Sequence, residues 1–129
     1  MASQILPRSL LMSNSCPQVD SLSALLSLLQ AGQSCRWPVM QGAELLALCS
    51  EHGREVMLNL QPAYPLPGLF QRLLRRRSLY PERYDGCYLC LNAERDLCCW
   101  RQISEESADH KHQIAPLFCL AGIELTELG

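Results

Sequence analysis

Lysine is almost absent from this chain: of its 11 Lys and Arg residues, only Lys111 is a lysine. With a formal net charge of −2, that argues against a nucleic-acid binder, whose affinity rests on a net basic surface. No apolar run approaches the ~18 residues of a membrane span. Residues 1–16 carry a single basic side chain, Arg8, and Leu10-Leu11-Met12 is too short for the apolar stretch of a secretory signal. Nothing is built to cradle a phosphate, since the glycines stand singly. Carboxylates lack the pairing that acid–base chemistry wants, and Glu105-Glu106 reads as a solvated loop. Internal repeats and low-complexity tracts are missing too.

Apolar residues and cysteine are plentiful. Residues of the apolar class make up 48% and charged ones 19% of 129 residues, the balance of an ordinary globular chain. One domain of this size hides roughly two-thirds of the surface its unfolded chain exposes. Eight cysteines are many for the length. An even number in a short secreted chain would suggest a disulfide framework. Here Cys87, Cys90, Cys98, Cys99 and Cys119 lie within apolar segments, where free cysteine behaves as a small hydrophobe. The expectation is a cytoplasmic protein with reduced thiols.

Cys87-x-x-Cys90 followed by Cys98-Cys99 invites a zinc reading. On strands, however, Cys87 and Cys90 point to opposite faces, as do the adjacent Cys98 and Cys99. A redox Cys-x-x-Cys opens a helix rather than sitting inside a strand. His52, His110 and His112 have no spacing that would link one of them, as a base, to a thiol. We therefore expect no catalytic residues, no metal and no cofactor. The sharpest charge cluster, Arg72, Arg75, Arg76 and Arg77, reads as a solvated helix face with acidic partners such as Glu82 in reach.

Along the chain, residues 1–17 mix Ser, Pro and Asn with short apolar runs and form an expected flexible arm ahead of a single domain over 18–129. Val19, Leu22, Leu25, Leu26 and Leu29 mark a first helix, capped by Asp20 or Ser21 and stopped at Gly32. A strand over 35–40 follows, demoted to a sheet edge by Pro38. Strands over 44–49 and 54–60 come next, joined at Gly53. In the latter, Val56, Leu58 and Leu60 share one face and Glu55, Met57 and Asn59 the other. Leu66, Leu69, Phe70, Leu73 and Leu74 then recur at helical spacing, with Pro67 suited to the first turn and Pro81 closing the helix. A hairpin over 87–92 and 96–103 follows a turn at Tyr84-Asp85-Gly86. Ile114, Leu117, Phe118, Ala121, Leu125 and Leu128 mark a last helix with Gly122 inside it, and Pro116 near its start suggests a separate turn over 109–113. The fold class is α+β, in the order α-β-β-β-α-β-β-α with an antiparallel sheet.

This order resembles the class I, effector-type chaperones of bacterial type III secretion systems. The likeness is carried by the 44–60 hairpin ending Val56-Met57-Leu58-Asn59-Leu60, the helix from Leu66 to Leu74, the Tyr88-Leu89-Cys90-Leu91 hairpin and the terminal helix. The resemblance implies a cytoplasmic homodimer without enzymatic activity that holds an extended segment of a secreted client and keeps it competent for export. It further implies dimer contacts at Leu69, Phe70, Leu73 and Leu74, and client contacts at Leu22, Leu25, Leu29, Leu46 and Met57. An acidic residue at Leu73 would then break the dimer, because an unpaired buried charge costs several kcal/mol. Neither nucleic acid nor membrane insertion is expected. Pro38, the cysteines and the ten arginines depart from the family's pattern. They leave open another component of the secretion apparatus, such as an assembly or gatekeeper protein, an unrelated α+β dimer, or a zinc- or nucleic-acid-linked regulator.

Overall fold

A computed structural model describes residues 16–61, 68–91, 96–104 and 109–124. The elements are α1 (Leu22–Gln30), β1 (Cys35–Met40), β2 (Ala43–Ser50), β3 (Gly53–Leu60), α2 (Leu69–Leu79), β4 (Tyr88–Leu91), β5 (Leu97–Ile103) and α3 (His110–Ala121). Five strands form one antiparallel sheet in the order β1-β2-β3-β5-β4. This is the expected α-β-β-β-α-β-β-α order.

Local chemistry accounts for most boundaries. Ser21 caps α1 by accepting the Ala24 N–H at 3.1 Å, which satisfies one of the orphan donors of the first turn. Two residues, Glu51 and His52, join β2 to β3, because Ser50 pairs with Gly53 in the ladder. The backbone at Gly53 has φ +128°, a conformation side-chain-bearing residues rarely adopt. Pro38 lies on β1, an outer strand, and a register shift falls between Pro38 and Met40. Proline is tolerated there because an edge strand need not donate on its outer side.

Alternation divides the sheet into two faces. Cys35, Trp37, Leu45, Ala47, Val56, Leu58, Leu60, Leu97 and Cys99 are buried with Leu22, Leu25 and Leu29 of α1 and Ile114, Leu117, Phe118 and Leu120 of α3 in one core. Trp37 meets Phe118 at 6.1 Å between ring centroids. Each fully buried Leu, Ile or Phe contributes about 1.5–3 kcal/mol, so this side of the sheet carries the stability. The second face holds Leu46, Met57, Trp100 and Tyr88 in one cross-strand row, since each is the direct register partner of the next.

The last helix departs from expectation. It begins at His110 and ends at Ala121, with Pro116 inside it. Asp109 starts it by accepting the His112 N–H at 3.1 Å. The bond that Pro116 cannot donate would have gone to the carbonyl of His112, an exposed residue that water can reach. Residues 109–113 are therefore helix rather than a separate turn. Gly122 is the αL cap at φ +81° and not an interior residue. Its N–H bonds the Cys119 carbonyl, and the Ile123 N–H bonds that of Phe118, a closure only a left-handed residue permits. Leu66, Pro67, Leu125 and Leu128, the hairpin tip and Glu105-Glu106 lie outside the described residues, as does residues 1–15 of the expected arm. Cys16 is buried, and Pro17 accepts the Arg36 N–H at 3.0 Å.

Candidate partner interface

The two edges of the sheet are finished differently. Along β1, the Val19 N–H donates to Arg36 O at 2.8 Å and Arg36 N–H donates to Pro17 O, with a parallel bridge from Gln18 to Arg36. Pro38 and the adjacent register shift interrupt the rest of that edge. At the other edge, β4 reads Tyr-Leu-Cys-Leu and, among the described residues, pairs only with β5. It carries neither charge nor proline nor bulge, the usual devices that keep an edge from pairing with another chain.

The helix α2 precedes this strand in the chain. Leu73 is 1% exposed and anchors the helix, while Leu74, one residue on, is 43% exposed. Leu69 and Phe70 are half-buried against the core. The four residues expected at a dimer contact therefore serve two purposes. Leu73 belongs to the subunit's own core, so an acidic residue there would unfold the subunit as well as break any dimer. Leu74 is free to meet something else.

Two of the four clustered arginines are not solvated ion-pair partners. Arg76 Nη1 donates to the carbonyls of Cys119 (3.1 Å) and Leu120 (2.7 Å). Those carbonyls end α3, where a cation also complements the helix dipole. Arg77 Nε donates to Cys87 O at 2.7 Å. The pair fastens α2 to the end of α3 and to the residue just before β4, while Arg72 and Arg75 stay exposed. Nothing in the local spacing could announce this, because the carbonyls arrive from 43 and 10 residues away.

Among the described residues six large hydrophobic side chains are exposed, and five of them fall within one stretch: Leu74 43%, Leu79 61%, Tyr80 51%, Tyr88 50% and Leu91 53%. Leu74, Leu79 and Tyr80 lie on or just after α2, whereas Tyr88 and Leu91, three residues apart on β4, leave opposite faces of the sheet.

The expected client-binding residues separate. Leu22, Leu25 and Leu29 are buried core residues of α1, whereas Leu46, itself buried, and the half-buried Met57 lie on the opposite face of the sheet. On that face Trp100 and Tyr88 extend their row, with ring centroids 5.2 Å apart, and Arg36 pairs with Glu44 at 2.7 Å. Trp100 and Tyr88 were not among the expected client contacts. Only the register joins them to Leu46 and Met57.

Of the clustered cysteines, Cys87 and Cys99 lie on the core side and Cys90 and Cys98 on the other. Among the described residues no three His, Cys, Asp or Glu side chains gather as metal ligands would. Burial pushes the thiol of Cys35 up to about 11 and those of Cys98 and Cys99 up to about 12, so these three stay protonated at neutral pH. Tyr84 is fully buried, which raises its hydroxyl, and that hydroxyl lies 3.3 Å from Cys119 Sγ. No helix among the described residues is long and apolar enough to cross a membrane.

Fold and surface together define a small α+β domain with a closed core, one interrupted sheet edge and exposed apolar side chains on α2, just after it and on β4. Residues 12–126 match a family model described as HrpV-like, a stretch that takes in every helix and strand of the described residues. The chain belongs to the HrpV-like family, which is associated with type III secretion. No curated protein and no solved structure matches it.

Proposed function

We propose that this chain is a non-enzymatic chaperone of type III secretion, related in mode of action to the class I effector chaperones. It acts in the bacterial cytoplasm as a homodimer that keeps an extended segment of a secreted protein export-competent. The observation that carries this reading is that, among the described residues, five of the six exposed large hydrophobic side chains fall between Leu74 and Leu91. Covering such surface gains free energy. The second copy is assigned to the surface around Leu74, Leu79 and Tyr80. The Met57–Trp100–Tyr88 part of the row is assigned to the client, whose extended backbone presents alternate side chains to such a surface.

The test is co-expression with proteins encoded next to this one, followed by affinity purification and light scattering of the product. A two-to-one complex with a secreted protein, lost when Met57 and Trp100 are both changed to Ser, supports the assignment. A monomer that captures no exported protein overturns it.

A further inference from the structure

The β4–β5 ladder sets Cys90 directly opposite Cys98. Among the described strands it is the only register pair made of two cysteines. Directly opposed residues of antiparallel strands have Cα atoms about 4.5–5.5 Å apart, inside the roughly 4.4–6.8 Å window of a disulfide. Their side chains leave the same face of the sheet. Both are free thiols with unequal access: Cys90 is exposed on the edge strand and Cys98 is buried. An exposed thiol backed by a buried one in register is the arrangement of an attacking and a resolving cysteine.

We propose that Cys90 and Cys98 form a reversible thiol–disulfide site that reacts with low-molecular-weight disulfides of the glutathione type and closes into a cross-strand bridge pinning β4 to β5. Cys90, as the thiolate, attacks one sulfur of oxidised glutathione. The S–S bond breaks, one glutathione leaves and takes up a proton, and a mixed disulfide remains on Cys90. Cys98 then loses its proton to solvent and attacks Cys90 Sγ, expelling the second glutathione. In balance, two thiols of the protein give up two electrons and two protons, and one glutathione disulfide becomes two glutathione thiols. Burial and the facing Cys90 push the Cys98 thiol up to about 12, so closure quickens as pH rises. The bridge matters structurally because β4 is only four residues long and, among the described residues, has β5 as its one neighbour. The site stands independently of the secretion reading.

The experiment is to incubate the full chain with oxidised glutathione, quench with acid and alkylating agent, and map peptides without reduction. Wild type is expected to yield a Cys90–Cys98 linkage with no glutathione retained at either position. Cys98→Ala should instead hold one glutathione on Cys90, and Cys90→Ala should leave Cys98 unmodified. Circular dichroism checks that both variants are folded, and Cys98→Ser serves if the alanine form is not. Glutathione retained on Cys90 of the wild type, or a first linkage that joins any other pair, overturns the proposal.

Discussion

Leu73 and Leu74 are neighbours in sequence and opposites in burial, which makes them a sharp probe of the exposed surface of α2. Leu73 is 1% exposed, so Leu73→Ala empties a packed site and should cost about 2–5 kcal/mol of stability. Leu74 is 43% exposed. Fully burying a leucine is worth about 1.5–3 kcal/mol, so covering the remaining part yields about 1 kcal/mol per copy, or about 2 kcal/mol for a symmetric pair. Leu74→Asp forfeits that and adds the cost of desolvating a carboxylate, which together should weaken self-association by more than about 100-fold. The subunit's own stability should move by less than about 0.5 kcal/mol, since the position faces outward. A dilution series by light scattering reads the association and a urea titration on the same samples reads the stability. An unchanged dimer in Leu74→Asp, or one that fails in Leu73→Ala while the urea midpoint holds, would refute the division of labour between the two residues.

Other outcomes follow from individual contacts. Ser21→Ala removes the cap on Ala24 N–H and should lower stability by about 1 kcal/mol in the same urea titration, with Ser21→Asp restoring most of it. Arg76→Ala frees the carbonyls at the end of α3. It should cost about 1–2 kcal/mol and speed amide exchange at the α2–α3 junction more than elsewhere. Alkaline pH should unfold the protein: the thiols of Cys35, Cys98 and Cys99 are raised from an ordinary 9 to about 11, 12 and 12. The unfolded chain therefore releases these protons first, and stability, full below pH 9, falls as pH rises toward 12. Denaturation midpoints measured from pH 7.5 to 10.5 check the sign, and a flat or rising profile contradicts it.

Much of the fold was legible because it follows from short-range rules. The alternation Val56, Leu58, Leu60 against Glu55, Met57, Asn59 names the buried face of β3 without any partner strand. Ser21, Gly53, Pro38 and Pro81 punctuate the chain through capping, left-handed backbone and a missing donor, and each lies where those properties put it. The end of α3 was misplaced for a related reason. An αL glycine that closes a helix and a glycine within one look alike until the Ile123 N–H is seen to reach Phe118 O.

What the residues could not say alone is which apolar groups would be spent inside the subunit. Periodicity gives Leu22, Leu25, Leu29, Leu69, Phe70, Leu73 and Leu74 equal standing, because it marks a helix face but not what that face meets. The packed structure consumes α1 and Leu73 in the core and leaves Leu74, Leu79 and Tyr80 bare. Charge patterning likewise offered acidic partners for the arginines, and the structure supplied backbone carbonyls brought in from distant segments. The opposition of Cys90 to Cys98 depends on strand register, and shifting the pairing by one residue would send the two thiols to different faces. Element type is thus a local property that the linear chain already contains, whereas burial, partner and juxtaposition belong to the assembled core.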